Sequence, residues 1–430
     1  MKIQNVKGGY DFLPKEQKIR NYINDILRKT FVQYGYEPIE TPILCYYDIL
    51  SDKYDEGNDI LKEIYKLRDQ GDRKLGLRYD LTVPFAKLIA LNKNQIKFPF
   101  KRYEIAKSFR DGPVKVGRDR EFTQCDVDVV GLDGQLVEAE LMSLFVKAFT
   151  ELNIEIVIKY NSRNLMTGLI LESGVDSSLV QVVTTIIDKK DKVDNKEFRE
   201  LLSEVGLNDK QIDDIIKYFD MSLEELIEMF ENVENEKINK GIEELNNLSE
   251  LLKGINIDDV CVFSSSLARG QNYYTGNVFE VYERNGKLSG SVGAGGRYDK
   301  MITDFINDGN LYPAVGISFG LSSIYELLKD NDIFNERSDT DIYIIPINTE
   351  IDSLKLANNL REFGFNVEIE MLKRKLKKSL DYANKEKIPY VIILGEDEIN
   401  SNIINVKDMF NNSMFSVDTK NLIALKEWTK

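Results

Sequence analysis

The chain has 430 residues, is 42% hydrophobic and 30% charged, and carries a formal net charge of -15 with no histidine. Its length asks for more than one domain, and its composition excludes a disordered chain, a membrane span of about 20 apolar residues and a surface that is basic throughout. The missing histidine excludes Ser-His-Asp and Cys-His catalysis and any histidine-held metal, which leaves proton transfer to carboxylates, tyrosines, lysines or the substrate.

In chain order, Leu13 and Pro14 precede Ile19, Ile23, Ile26 and Leu27 at helical spacing, and Gly35 supplies the stop. GYEPIETPIL follows, where Pro38 and Pro42 break strand-like residues. Proline cannot donate to a ladder, so this stretch belongs on a sheet edge or at an interface. Residues 64–67 and 75–77 alternate as hairpin strands, and LRYDLTVPFAKLIA runs from a strand holding Asp80 and Thr82 into a helix with Pro84 in its first turn. Strands over 103–109 and 121–130 flank a loop with Gly112, Pro113 and Gly117. A helix over 138–152 and a strand over 154–160 come next.

Residues 165–252 form an acidic helical block, with Ile242, Leu245, Leu248 and Leu252 on one face and Ser222 and Glu225 in a capping-box pattern. Beyond it, SLARGQNYYTGNVFE (266–280) runs into a strand over 278–282. A strand over 288–292, a Gly-rich turn GAGGRYD and the strand-to-helix segment AVGISFGLSSIYELL follow. From Asp341, strand-like runs (DIYIIPI, NVEIEM, PYVIILG, IINVKDM) alternate with helices over 351–363 and 376–385, as in a small separate α/β domain. The expected division is therefore 1–328, with 165–252 as an inserted subdomain, and 341–430, joined by the polar stretch 329–340.

Several clusters carry chemistry. Arg110 closes one strand, and Arg118 and Arg120 open the next across the glycine-bearing loop. Arginine offers fixed bidentate geometry and permanent charge, which suits a polyphosphate. Phe122, Gln124 and Asp128 are in step on one strand, so a flat apolar group, an amide and a carboxylate share a face; the solvated side of a hairpin alternates in the same way. Asp80 near Thr82 reads either as a holder of an ammonium group or as a surface carboxylate.

In 266–280, Gly270 and Gly276 bracket a polar and aromatic segment holding Tyr273 and Tyr274, with Arg269 just before it and Glu280 beyond. That reads as a pocket-lining junction or as a hairpin with two core tyrosines. Lys373, Arg374, Lys375, Lys377 and Lys378 form a basic cluster, either a phosphate contact or a solvated helix face. Cys45, Cys125 and Cys261 are too widely spaced for a zinc or disulfide framework, and the opening MKIQNVKGGYDFLPKE lacks a signal-peptide core, so a reducing cytoplasm is expected. No metal ligands are identified.

Together these motifs resemble the class II aminoacyl-tRNA synthetases, and within them the histidyl-tRNA synthetases of the eukaryotic and archaeal-like type. Residues 35–44 match the first class II signature, with Pro42 at the dimer interface, and Phe109-Arg110 with 118–122 match the second. LRYDLT, QCDVD and SLARGQNYYTG are similar to the histidine-specific segments, and the resemblance covers essentially the whole chain. It implies an α+β fold: a catalytic domain on an antiparallel sheet with a helical insertion, then an α/β anticodon-binding domain. It also implies a cytoplasmic homodimer, with no membrane partner, that uses ATP with Mg2+ to make histidyl-adenylate and charges tRNA(His).

By the same resemblance, Asp80, Thr82 and Gln124 would hold the ammonium end of histidine, and Asp128, Tyr273 and Tyr274 would read its imidazole. Arg110 would grip the α-phosphate, and Phe122 would stack on adenine. Arg118 and Arg120 would serve ATP, and Arg269 would neutralise the α-phosphate and the substrate carboxylate from the other side. The basic cluster would meet tRNA. Departures are present as well: Ser322 and Ser323 stand where the family carries an acidic residue and the arginine for the γ-phosphate, Gly112 stands for a glutamate with Asp111 beside it, and Gln271-Asn272 stands for Leu-Asp. They leave a second expectation, a non-charging relative that regulates ATP phosphoribosyltransferase. The absent histidine also has two readings: a chain that is translated when charged tRNA(His) is scarce, or a composition bias of its lineage.

Overall fold

The computed structural model describes residues 2–51, 59–269, 273–331 and 338–428, and the chain divides into two compact units, 1–330 and 331–430. Gly270, Gln271 and Asn272 lie outside the described residues. The first unit is built on an eight-stranded sheet. With strands numbered in chain order, its order is β1 (Glu37–Pro38), β5 (Phe100–Phe109), β6 (Glu121–Val130), β11 (Ala314–Gly320), β10 (Gly293–Arg297), β9 (Asn277–Glu283), β7 (Ile156–Ser162) and β8 (Cys261–Phe263). A small sheet of β2 (Leu44–Tyr46), β4 (Lys74–Leu77) and β3 (Lys66–Arg68) accompanies it.

One face of the large sheet is closed by helices. The helix Pro14–Gln33 starts with proline at its first position, and Glu16 Oε2 accepts from the Leu13 N–H at 2.8 Å. It ends at Gly35, whose φ of 78° lets the Tyr36 N–H reach back to the Phe31 carbonyl at 3.0 Å. Ile19, Ile23, Leu27 and Phe31 are buried, each such side chain contributing about 1.5–3 kcal/mol. Phe319 of β11 receives Phe31 (ring centroids 5.6 Å apart) and Phe145 of the helix Leu136–Glu151 (4.7 Å). The alternate residues of β6 and β11 therefore point to the opposite face, which stays open.

The structure corrects the strand over 288–292. No strand forms there; the glycine run expected as a turn is β10, paired antiparallel with β9 and β11. A Cβ on Gly293 would come within 2.7 Å of the Phe145 ring, and one on Gly296 within 2.7 Å of the Tyr274 ring. Glycine is needed here for lack of bulk rather than for a turn, so turn-like composition fills the centre of a sheet. Asp80 and Thr82, expected in a strand, instead lie in the turn and at the start of the helix Thr82–Asn92.

The helical block leaves the sheet at β7 and returns at β8, and β7 pairs with both β8 and β9. Within it, Ser222 and Glu225 exchange the two bonds of a capping box, and the helices Arg163–Glu172 and Glu236–Gly254 cross closely enough that a Cβ on Gly168 would lie 2.6 Å from Ile238.

The second unit is a five-stranded sheet in the order β13 (Val367–Ile369), β12 (Ile342–Pro346), β14 (Tyr390–Leu394), β15 (Ile403–Asp408), β16 (Ser413–Asp418). β12 is parallel to β13 and β14, and the last two strands are antiparallel. Among the described residues no helix is long and apolar enough to cross a membrane.

Candidate active site

The open face of the first unit holds a cavity of about 720 Å³, within the range of small-ligand sites. Its floor is set by strand register. Asp128, Asp126 and Gln124 of β6 face Gly316, Ser318 and Gly320 of β11. Gly316 is required, because a Cβ there would fall on the Asp128 carboxylate. On the other side β5 sets Arg102 opposite Asp128 and Glu104 opposite Asp126. Arg102 is fully buried, with Nη2 2.7 Å from Asp128 Oδ2 and its guanidinium 4.2 Å from the Phe85 ring centroid. Glu104 is held in turn by Arg78 Nη1 at 3.1 Å and the Thr41 N–H at 2.8 Å. The Tyr298 hydroxyl donates to Asp128 Oδ1.

The floor is thus a buried charge network in which carboxylates outnumber cations, and their acidity shifts accordingly. Burial pushes Asp126 up to about 8, with Asp128 and Asp80 adding to the rise and Arg102 and Ser318 opposing it. Burial also raises Asp80, to about 6, against the Val83 N–H and Arg110. Asp128 is raised by burial as well, although Arg102 and the Tyr298 hydroxyl pull it back.

The walls come from loops. Asp80 Oδ1 accepts from the Val83 N–H at 3.1 Å at the start of its helix. Arg110 donates through Nε to the Tyr79 carbonyl at 3.0 Å and lies 5.1 Å from the Phe122 ring centroid. Across the cavity, Arg269 sits at φ 58°, a strained position for a residue with a side chain, and Glu280 Oε1 fixes its Nη1 at 2.6 Å. Burial works against the Arg269 charge, but Tyr274 and Glu280 hold it above its ordinary value. Tyr273 packs on Tyr274 with centroids 4.8 Å apart and edge-on to Tyr298 at 6.0 Å.

The cavity lining brings together Asp80, Thr82, Arg110, Arg118, Phe122, Gln124, Asp128, Arg269, Tyr273 and Tyr274 from the sequence-derived set. Arg120 stands outside the lining, engaged with the Gly112 carbonyl at 3.1 Å and Asp111 at 3.3 Å. The reading of this hairpin face as a solvated surface is overturned, since Arg102, Glu104, Asp126 and Asp128 are buried.

Sequence reasoning missed Asp126, Arg102, Glu104, Ser318 and Tyr298. Asp126 was within reach, because it falls in the same period-two row as Phe122, Gln124 and Asp128. In the second unit, Lys375, Lys377 and Lys378 are exposed around the first turn of the helix Leu376–Lys385. Lys373 pairs with Glu350 at 3.1 Å and Arg374 with Glu370 at 3.2 Å.

Among the described residues, three buried polar atoms facing this cavity have neither a hydrogen bond nor an ion-pair contact: Asp80 Oδ2, Gln124 Oε1 and Arg269 Nε; Asp128 Oδ2 is held by Arg102 at 2.7 Å. Two accept and one donates, and buried groups of this kind are normally satisfied. The set fits a ligand that carries several N–H donors and one anionic end.

Comparison with known proteins agrees. The family model described as histidyl-tRNA synthetase matches residues 8–324, and one described as an anticodon binding domain matches residues 341–426. The chain is 44% identical over 424 residues to a Bacillus cereus protein named histidine–tRNA ligase 1, covering 98% of this chain and 99% of that one. It is 44% identical over 408 residues to a Shouchella clausii protein named histidine–tRNA ligase 2, covering 94% and 96%. Among solved structures, a histidyl-tRNA synthetase from Nostoc sp. PCC 7120 has a TM-score of 0.86 at 28% identity over 100% of both chains.

Proposed function

The chain belongs to the histidyl-tRNA synthetase family, and from that premise we propose that its cavity joins histidine to ATP as histidyl-adenylate before the histidyl group passes to tRNA(His). The observation that carries the assignment of parts is the unsatisfied set of two acceptors and one donor, Asp80 Oδ2, Gln124 Oε1 and Arg269 Nε, beside the buried Asp128. Asp80 Oδ2 and Gln124 Oε1, with Thr82 beside them, take the substrate ammonium. The Asp128 carboxylate, held by Arg102 and the Tyr298 hydroxyl, takes a ring N–H between Tyr273 and Tyr274. Arg269 Nε takes the substrate carboxylate.

Activation needs no general base. A carboxylate oxygen attacks the α-phosphorus, the bond to the bridging oxygen breaks, and pyrophosphate leaves. What the reaction needs is two anions held together and the developing charge stabilised. Arg110 and Arg269, on opposite walls, serve that purpose, with Phe122 under the adenine and Arg118 toward the outer phosphates. Among the described residues no group of three acidic or cysteine side chains is placed to hold a metal; Mg2+ brought in with ATP would supply charge neutralisation on the departing pyrophosphate.

Around Pro42, Ile43, Leu44, Tyr46 and Leu67 are 42–52% exposed, an apolar patch suited to a second copy of the chain in a homodimer. The exposed lysines of the second unit, Lys375, Lys377 and Lys378, meet the tRNA backbone. The three unpaired cysteines suit the cytoplasm. The non-charging alternative is disfavoured, because relatives named as ligases match the chain along its full length, anticodon-binding part included. Histidine-dependent ATP–pyrophosphate exchange by the purified chain is the test; soluble, folded protein without exchange would sink the proposal.

A further inference from the structure

Four cations line the cavity: Arg110, Lys115, Arg118 and Arg269. Two are already committed to carboxylates, Arg269 to Glu280 at 2.6 Å and Arg118 to Glu63 at 3.1 Å. Arg110 donates to a backbone carbonyl, and among the described residues neither it nor Lys115 has an ion-pair partner. A polyanion entering the cavity therefore meets these two charges without displacing a partner; the largely buried Arg269–Glu280 pair is costly to break, while the half-exposed Arg118–Glu63 pair is weak.

Lys115 is placed by the loop rather than by chance exposure. Its N–H donates to the Arg118 carbonyl at 3.1 Å and the Arg118 N–H returns to the Lys115 carbonyl at 2.9 Å. The two residues between them turn the chain, with Gly117 at φ 71°, a left-handed conformation that glycine adopts without strain. The turn is then fastened onto the start of the helix Leu321–Leu328. A Cβ on Gly117 would lie 3.1 Å from Ser323 Oγ, and Ser322 Oγ donates to Asp119 Oδ2 at 3.0 Å. Both serines at that helix start are small and uncharged, so that wall offers no cation of its own. The loop that closes on them does.

We propose that Lys115 holds the outer phosphates of ATP, taking from the loop the position that the helix start leaves without positive charge. A lysine suits this end of the nucleotide. It is a strongly hydrated point charge with three donors on a flexible stem, able to follow β- and γ-phosphate oxygens as pyrophosphate departs. Arg110, rigid and stacked by Phe122, suits the α-phosphate, where geometry decides the reaction.

The inference rests on the reading of this cavity as the ATP site, and the test separates the two. Lys115→Ala, Lys115→Gln and Lys115→Arg are made in the full chain. Histidine-dependent pyrophosphate exchange is measured beside equilibrium binding of ATP and of AMP. Removing a charged phosphate contact is expected to weaken ATP binding about tenfold to a hundredfold and to slow exchange about 10²–10³-fold. Lys115→Arg is expected to keep most of both, and AMP binding, which involves no outer phosphate, is expected to stay unchanged in all three, which also reports that each variant is folded. Exchange at the wild-type rate in Lys115→Ala, or an equal loss of ATP and AMP binding, overturns the role of Lys115 while leaving the site in place. Absence of exchange and of ATP binding in the wild-type chain overturns the site, and this role with it.

Discussion

Replacing Asp126 by asparagine tests the electrostatics of the cavity floor. Asp126 is 3% exposed, and burial pushes its carboxyl up to about 8, whereas in an unfolded chain an aspartate ionises near about 3.9. Between those values the folded protein keeps a proton that the unfolded chain has lost. The sign follows: this group makes stability fall as the pH rises from about 4 to about 8. The slope is about 1.4 kcal/mol per pH unit, and over the whole window the effect is on the order of 5 kcal/mol. Asparagine keeps the shape and removes the titration. The stability of Asp126→Asn relative to the wild type is therefore expected to be flat below about pH 4 and to climb in the variant's favour at about that slope between pH 5 and 8. Urea unfolding at a series of pH values, followed by near-ultraviolet circular dichroism of the tyrosines, measures it. Tryptophan fluorescence does not serve, because the single tryptophan, Trp428, belongs to the second unit. A difference that stays level across that range would mean that Arg102 keeps Asp126 ionised throughout, and the account of the floor would be wrong.

Gly316→Ala drives a methyl group into the Asp128 carboxylate. It is expected to cost about 1–3 kcal/mol of stability and to raise the KM for histidine by about tenfold or more, and wild-type kinetics would contradict the packing argument. Glu280→Gln removes the charge that fixes Arg269 in its left-handed backbone position; exchange is expected to fall about tenfold to a hundredfold, with histidine binding measured alongside, and no change would detach Arg269 from the reaction. Lys377→Glu with Lys378→Glu is expected to weaken tRNA binding and to lower the log–log salt slope by about one to two, whereas unchanged affinity would return these lysines to a solvated helix face. With no histidine in its sequence, the chain is expected to be made at a sustained rate during histidine starvation; ribosome profiling that shows it stalling as severely as histidine-containing neighbours would leave composition bias as the explanation.

The paired strands were legible because their polar residues keep strict period two, and Arg110, Phe122, Gln124 and Asp128 fall in one cavity for that reason. What the same alternation does not reveal is whether that face meets water. Arg102, Glu104 and Asp126 look like the wet side of a hairpin. They are buried because β11 pairs alongside β6 and the segment through Asp80 lays Arg78 on Glu104 and Phe85 on Arg102, contacts that the alternation within one hairpin does not contain. Composition misled at β10, where glycine marks close packing by Phe145 and Tyr274 instead of a reversal. Counting arginines near a loop does not show which of them face the cavity: Arg118 lines it, while Arg120 stands off the lining, 3.3 Å from Asp111.

The absence of histidine is consistent with the chemistry of the floor. Asp126 and Asp128 lie within one buried network around Arg102, and a reaction without a general base asks no proton transfer of either; on the proposed assignment Asp128 recognises a ring N–H and Asp126 helps to set the charge of the pocket. The attacking group is already an anion, and the leaving group departs as one. The barrier is then mainly the repulsion between histidine's carboxylate and the triphosphate, which fixed cations lower and a histidine side chain would not. This is why the distribution of positive charge matters more here than the identity of any one motif. On the proposed assignment Glu280 holds Arg269 in its left-handed backbone position, Arg110 keeps its charge outside any ion pair among the described residues, and a further cation serves the outer phosphates. With serine at 322 and 323 and Arg118 paired with Glu63, the uncommitted cation in the lining beside Arg110 is Lys115, and on the proposal above the loop between β5 and β6 carries both ends of the triphosphate's grip.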